Sequence, residues 1–222
     1  MTFKPFLDVL PDEQRSLWPA LKDIPDSFVL YGGTALALRL GHRASVDFDF
    51  FSSDPVDFDL LFRLPFMTQA DVLQRAPDTL TVSTSPRTAT NPVKVSFFGG
   101  IDTGRVGSPE MTEDGVLRVA SLLDLFGTKL KVLLQRVAAR DYLDLAAILR
   151  TGVPLKEGLG AAGTLYGQQF PPTEAVKALS YFNEGDATNV DPATQAFLSK
   201  QAAAWDFTTA EIVKVADSLG TV

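Results

Sequence analysis

The sequence predicts an α/β (α+β) fold, with a small mixed sheet flanked by helices in the N-terminal half and a helical bundle after it. An apolar strand at 28–31 runs into two glycines and then into the helix formers ALALRL. The stretch SVDFDFF alternates strictly, as a half-buried strand does. Beyond about residue 106 the hydrophobic spacing becomes helical. We therefore expect two regions, 1–105 and 106–222.

The remaining elements follow from local patterns along the chain. Short helices are expected at 6–10 and 13–21, and a helix over 57–76 with an interruption at Pro65. Strands are expected at 80–85 and 93–98. In the second region, helices are expected within 121–139, 140–152, 172–184 and 191–204.

Composition excludes several classes of protein. With no cysteine among its 222 residues, the chain has no disulfide, thiolate metal site or cysteine nucleophile. Its first dozen residues carry acids and lack the basic and apolar regions of a secretory signal. No apolar run approaches the roughly 20 residues that a membrane span needs. We expect no membrane association and a cytoplasmic location.

Net charge and histidine content limit the kinds of ligand that the chain is expected to bind. A net charge of −7 argues against a general electrostatic grip on nucleic acid, although a local cluster such as Arg136 with Arg140 could contact a phosphate backbone. With one histidine, a His-rich zinc site is excluded, and a metal would be held mainly by oxygen. Mg²⁺ or Mn²⁺ is the expected cation.

The segment Gly32-Gly33-Thr34 is the first candidate site. A glycine turn before a helix presents backbone N–H groups that suit a phosphate, and Thr34 could add a hydroxyl donor. Arg43 and Ser45, between that helix and the next strand, are further candidates for nucleotide binding. Taken alone, Gly-Gly-Thr is better explained as an ordinary tight turn.

Asp47 and Asp49 are the second candidate site. They stand two residues apart on a strand, so both carboxylates point to the same face. Hard oxygen ligands in this arrangement suit Mg²⁺ bound to a triphosphate. Taken alone, Asp-x-Asp also describes a solvated strand face, and it is the conjunction with the glycine turn that favours phosphoryl or nucleotidyl transfer.

The third candidate lies in the helical half. Lys129 falls on an apolar helical stripe, where it must reach solvent or meet an anion, and a nucleotide phosphate is such an anion. Lys131 points the other way and is expected to be solvated. Asp141 and Asp144 could share a face of the next helix, where one of them orients Lys129 or acts near the metal. A surface pair of Arg140 with Asp144 is the equally weighted alternative.

Together these motifs resemble a known family. YGGTALALRLGHRASVDFDFF resembles the first motif of the DNA polymerase β-like nucleotidyltransferase superfamily, and more closely that of the AbiEii/AbiGii toxin-type nucleotidyltransferases. TKLKVLLQRVAARDYLDLAAIL resembles the second motif of that family, at Lys129, Arg140, Asp141 and Asp144. The resemblance covers about residues 28–150 and implies a nucleotidyltransferase core over 1–105. It implies catalytic roles for Asp47, Asp49, Lys129, Asp141 and Asp144.

One position departs from the superfamily pattern. Polymerase β-like enzymes usually add a third carboxylate from a neighbouring strand, and here PVKVSFFGG offers Ser96. Serine cannot replace a carboxylate as a base or strong ligand. Either a helical aspartate, Asp141 or Asp144, serves instead, or the activity is weak or lost.

The function implied is metal-dependent transfer of a nucleoside monophosphate from an NTP to an acceptor. The resemblance implies RNA, at the 3′ end of transfer RNA, as the acceptor, and a role as a toxin neutralised by a separate antitoxin protein. Two alternatives stay open. One is transfer to a small molecule, and the other is a degenerate protein that binds a nucleotide or a partner without turnover, which Ser96 favours.

Overall fold

The structure, a computed structural model, describes residues 1–85 and 91–220. It forms two compact units. The first comprises Met1–Ser121 together with the C-terminal residues from Ala216, and the second comprises Leu122–Val215. No helix among the described residues is long and apolar enough to cross a membrane.

The first unit is built on a mixed sheet with eight strands among the described residues, in the order β1-β7-β8-β2-β3-β6-β5-β4. The strands are β1 (Thr2–Phe3), β2 (Val29–Tyr31), β3 (Asp47–Phe51), β4 (Asp71–Ala76), β5 (Thr79–Thr84), β6 (Val93–Phe98), β7 (Glu110–Thr112) and β8 (Arg118–Val119). The central strand β3 runs antiparallel to β2 and parallel to β6.

Three short helices accompany this sheet: α1 (Asp12–Leu17), α2 (Gly32–Leu40) and α3 (Phe58–Phe62). Helix α2 ends as predicted at Gly41, which takes the left-handed conformation. One face of β3 is aromatic, because Phe48 and Phe50 are fully buried. Phe48 stacks on Phe50, and Phe50 stacks on Phe97 of β6. This apolar face leaves the aspartates of β3 on the opposite side.

The second unit is helical, with α4 (Leu122–Leu133), α5 (Ala139–Arg150), α6 (Leu155–Tyr166), α7 (Pro172–Leu179) and α8 (Pro192–Ala203). Helix α4 packs closely on α6: a Cβ atom at Gly127 would lie 2.9 Å from the backbone nitrogen of Ala162. The sequence did not predict α6, because three glycines give it low intrinsic helix propensity. Close packing of small residues stabilises it instead.

The predicted α/β fold with a helical C-terminal half is therefore confirmed, with three local differences. The helix expected over 57–76 ends early, and its last third forms β4, which pairs with β5 across a tight turn at Pro77 and Asp78. Strands β7 and β8 lie beyond residue 106, where only helices were expected. Because they complete the sheet, the first unit extends to Ser121 rather than ending near residue 106.

Candidate active site

Asp47 and Asp49 lie at the centre of the sheet, on the same face of β3. Both are partly exposed, whereas Phe48 between them is fully buried. The parallel neighbour β6 places Lys94 beside Asp47 and Ser96 beside Asp49. The Lys94 ammonium lies 3.1 Å from Oδ2 of Asp47. The face thus carries two carboxylates, one ammonium and one buried hydroxyl.

The glycine turn lies directly against this face. Gly32 has a φ of +75°, and a Cβ atom there would lie 3.1 Å from Oδ2 of Asp49. A Cβ atom at Gly33 would lie 2.5 Å from a guanidinium nitrogen of Arg43 and 3.3 Å from the hydroxyl of Ser45. The absence of side chains at the two glycines therefore lets the turn, Arg43, Ser45 and the carboxylate of Asp49 come together.

Thr34 is fully engaged within the protein. It is buried, its hydroxyl lies 2.8 Å from that of Ser45, and it also contacts the backbone carbonyl oxygen of Asp47. These contacts fix the start of α2 to the start of β3. The structure thus gives Thr34 an anchoring contact, and its predicted contact with a phosphate stays a prediction.

Lys129 forms a buried ion cluster within the second unit. Its ammonium on α4 lies 2.8 Å from Oδ1 of Asp141 and 2.6 Å from Oδ2 of Asp144, both on α5. Both aspartates are fully buried and the lysine is nearly so. The predicted pairing of these aspartates on one face of α5 with Lys129 is therefore seen. Asp144 is fully buried and is therefore not the surface residue that the alternative pairing with Arg140 assumed.

Arg136 completes the cluster from a more exposed position. Its Nε donates a hydrogen bond of 2.8 Å to Oδ2 of Asp141, and a second nitrogen lies 3.2 Å from Oδ1. Asp141 therefore contacts two cations, Lys129 and Arg136. Arg136 thus binds Asp141 through two nitrogens, and its expected contact with a nucleic-acid backbone stays a prediction.

The pKa of Asp141 reflects these opposing effects. Burial by itself raises the pKa of this carboxyl, because a charge is poorly solvated inside the protein. The hydrogen bond from Arg136 and the charge of Lys129 lower the pKa by more. The net shift is downward, and Asp141 is charged at neutral pH. A carboxylate that is charged at neutral pH and paired with two cations is suited to holding Lys129 and Arg136 in place.

The donor set of β3 suits a hard divalent cation in part. Asp47 and Asp49 supply adjacent carboxylates, and Gly32, which has no side chain, lies close against the carboxylate of Asp49. No group of three or more His, Cys, Asp or Glu side chains that could hold a metal occurs in the part of the chain that the structure describes. These two aspartates would therefore need water or substrate oxygens to complete a coordination shell.

Lys94 was not identified from the sequence as a site residue. It follows the same two-residue alternation as Ser96 on β6, so a parallel alignment of β6 with β3 would have placed it beside Asp47. That alignment depends on which strands are neighbours, and the chain order alone does not give it.

Solved structures with the same fold are found among bacterial proteins. JHP933 from Helicobacter pylori aligns with a TM-score of 0.58 at 18% identity, over 86% of this chain and 89% of that one. MenT4, the nucleotidyltransferase toxin Rv2826c of Mycobacterium tuberculosis H37Rv, aligns with a TM-score of 0.56 at 17% identity, over 87% of this chain and 82% of that one. At these identities the likeness concerns the fold.

One curated protein has a higher sequence identity to this chain than these structures do. The uncharacterized protein aq_aa25 of Aquifex aeolicus is 33% identical over 138 residues, which is 60% of this chain. The match spans 64% of that protein's length. The match therefore indicates common ancestry, and it does not assign a function.

The AbiEii family, described as the nucleotidyl transferase AbiEii toxin of type IV toxin–antitoxin systems, matches residues 19–211. That stretch includes the glycine turn, the two aspartates of β3 and the ion cluster around Lys129. The expected resemblance, and with it the expected class of enzyme, is confirmed at the level of the family. The chain belongs to the AbiEii family of nucleotidyl transferase toxins.

Proposed function

We propose that this protein transfers a nucleoside monophosphate from an NTP to an acceptor hydroxyl, with RNA as the acceptor and a divalent cation held by Asp47 and Asp49. The observation that carries the proposal is the contact of the glycine turn with the carboxylate face of β3, where Gly32 approaches Asp49. A turn that can cradle phosphate beside hard oxygen ligands is the arrangement that nucleotidyl transfer needs.

In the proposed reaction, the acceptor oxygen forms a bond to the α-phosphorus while the bond from that phosphorus to the bridging oxygen breaks. Pyrophosphate leaves, and the acceptor's proton passes to a base or to solvent. A bound Mg²⁺ or Mn²⁺ would supply Lewis-acid stabilisation of the negative charge that develops on phosphate. Asp47 and Asp49 hold that cation, and the N–H groups of the glycine turn orient phosphate oxygens.

Arg43 and Ser45 extend the proposed phosphate contacts. The Arg43 guanidinium lies over Gly33, so a small movement of this flexible side chain would expose the backbone of the turn and keep a positive charge beside it. The Ser45 hydroxyl faces the same glycine. Both residues are proposed as nucleotide-binding on this proximity.

Lys129 is proposed to contact phosphate through its third N–H. An ammonium group has three donors, and Asp141 and Asp144 account for two directions. The two aspartates thus orient Lys129. We propose that both aspartates take part in catalysis through this contact, and the single variants Asp141→Asn and Asp144→Asn show which of them contributes more.

The biological setting proposed is that of the family: a cytoplasmic toxin that a separate antitoxin protein neutralises. The match of the AbiEii family over residues 19–211 supports it. The absence of cysteine fits a reducing compartment. Transfer to the 3′ end of transfer RNA is the specific acceptor reaction that we propose to test.

The second candidate function is binding without turnover, and Ser96 favours it. Ser96 stands in register with Asp49 and is buried, at the place where a third carboxylate would complete a metal site. A hydroxyl there is neither a base nor a strong ligand at neutral pH. If neither helical aspartate compensates, the protein binds nucleotide without releasing pyrophosphate.

Pyrophosphate release with each NTP, Mg²⁺ and total RNA tests these proposals. We expect RNA-dependent release that Asp49→Asn abolishes, whereas Asp59→Asn, the same change at an exposed position on α3, leaves it intact. Release that needs no RNA but needs a small cationic acceptor would support the small-molecule alternative. Nucleotide binding without release under any condition would support the binding protein.

A further inference from the structure

Lys94 forms an ion pair with one of the two carboxylates proposed to hold the cation. Its ammonium lies 3.1 Å from Oδ2 of Asp47, and the side chains are 43% and 28% exposed. An ion pair at this level of exposure is weak and can open. The Lys94 side chain can therefore leave Asp47 without unfolding any element.

The surroundings of Lys94 make this pairing specific. Its neighbour on β5 is Ser83, an uncharged residue, and its neighbour on β3 is Asp47. Ser96 of β6 lies in register between Asp49 of β3 and Thr81 of β5. The residue of β6 beside Asp49 therefore carries a hydroxyl group. The two carboxylates of β3 thus differ: Asp47 has a positive neighbour on β6, and Asp49 has a neutral one.

An ammonium and a divalent cation compete for the same carboxylate. Both are attracted to Asp47, and they repel each other when both are close to it. Without a cation, Lys94 offsets the repulsion between two adjacent carboxylates. With a cation, its charge opposes binding.

We propose that Lys94 is a positioning residue that occupies Asp47 in the free enzyme and weakens divalent-cation binding until a nucleotide brings its own negative charge. The inference rests on the proposed function, since it takes Asp47 and Asp49 as the cation's ligands. It adds a coupling between binding of the divalent cation and binding of the nucleotide.

Binding of Mn²⁺ to the nucleotide-free protein, measured by electron paramagnetic resonance, tests the inference without any turnover. Lys94→Met and Lys94→Gln remove the charge, and Lys94→Arg keeps it as the matched control. Removing one unit charge about 5 Å from a divalent cation in a water-like dielectric should tighten binding about tenfold. We expect that gain in the Met and Gln variants and unchanged affinity in the Arg variant.

The experiment distinguishes failure of the role proposed for Lys94 from failure of the proposed cation site. If Asp49→Asn weakens Mn²⁺ binding while Lys94→Met and Lys94→Gln bind Mn²⁺ as the wild type does, the cation site stands and the role of Lys94 is overturned. If Asp47→Asn and Asp49→Asn both leave Mn²⁺ binding unchanged, the cation site fails and the inference fails with it. Thermal unfolding of each variant confirms that the sheet is intact.

Discussion

Two separate structural requirements favour glycine at position 32. Its φ of +75° is a conformation in which a side chain is strained, and a Cβ atom there would lie 3.1 Å from the carboxylate of Asp49. The first requirement concerns the turn, and the second concerns the face on which a cation and phosphate are proposed to bind. A suitable pair of substitutions separates them.

We predict that Gly32→Ala lowers pyrophosphate release by far more than Gly115→Ala does. Gly115 has a similar φ of +71°, but a Cβ atom there meets nothing within 4 Å. Both variants should lose about 1 to 2 kcal/mol of unfolding free energy from the left-handed conformation. Only Gly32→Ala adds a methyl group against Asp49. Urea unfolding and activity assays measure the two effects, and equal activity in both variants would contradict the role assigned to Gly32.

The lowered pKa of Asp141 predicts that its contribution to the free energy of unfolding depends on pH. Its pKa in the folded protein is below its ordinary value, so its contribution to stability is fully present above that ordinary value. The contribution is lost as the pH falls through the folded-state pKa. At neutral pH, Asp141→Asn leaves Lys129 and Arg136 short of a buried counter-charge.

We therefore expect Asp141→Asn to lower the free energy of unfolding by about 3 kcal/mol at pH 7, a typical cost of breaking a buried ion pair. The difference from wild type should shrink below about pH 4, where the carboxyl of the unfolded chain begins to take up a proton while that of the folded protein is still charged. Urea unfolding at several pH values measures this. Asp59→Asn, at an exposed site, should change little at any pH, and a pH-independent difference for Asp141→Asn would refute the electrostatic explanation.

At the scale of elements, the pairing of α4 with α6 depends on small residues. Gly127 lies against the backbone of Ala161 and Ala162, and a Cβ atom there would fall within 2.9 Å of a backbone nitrogen. Gly163, also on α6, has open space around it. The same substitution should have opposite effects at these two positions.

We predict that Gly127→Ala destabilises the protein and that Gly163→Ala stabilises it. Alanine gains about 1 kcal/mol in helix propensity at either position. At Gly127 the added Cβ atom meets backbone, so we expect a cost near the upper end of the usual range for overpacking, about 3 kcal/mol, which outweighs that gain. Thermal unfolding monitored by circular dichroism measures both signs. Stabilisation by both substitutions would show that α4 and α6 do not need this close approach.

At the scale of the whole molecule, the chain leaves the first unit at Ser121 and returns to it at Ala216. The guanidinium of Arg105 donates hydrogen bonds to the carbonyl oxygens of Ser218 and Gly220 at 2.6 and 2.5 Å. Leu219 between them is 2% exposed. The C-terminal segment is thus an integral part of the first unit, although it follows the helical unit in the sequence.

We predict that Leu219→Ala lowers the free energy of unfolding by about 2 to 3 kcal/mol, the cost of truncating a buried leucine. Val213→Ala, which shortens a side chain that is 75% exposed, should change it by less than about 0.5 kcal/mol. Differential scanning calorimetry compares the two. A similar small effect for both would show that the C-terminal segment contributes little to the first unit.

The sequence by itself determined the local chemistry of this protein. The glycine turn, the alternation that puts Asp47 and Asp49 on one face, and the helical spacing of Lys129 all depend on neighbours within a few residues, and the structure has each of them. The fold class follows from the same periodicities. The family resemblance rested on these motifs and is confirmed by the match over residues 19–211.

Only the tertiary structure decided which distant residues meet. The ion pair of Lys94 with Asp47 requires β6 to lie beside β3, and the helix expected over 57–76 gives way to β4 because pairing with β5 outweighs local helix propensity. Helix α6 forms despite its glycines because it packs on α4. The C-terminal residues rejoin the first unit through Arg105. These contacts join residues far apart in the chain, so their free energy depends on the fold and not on local sequence.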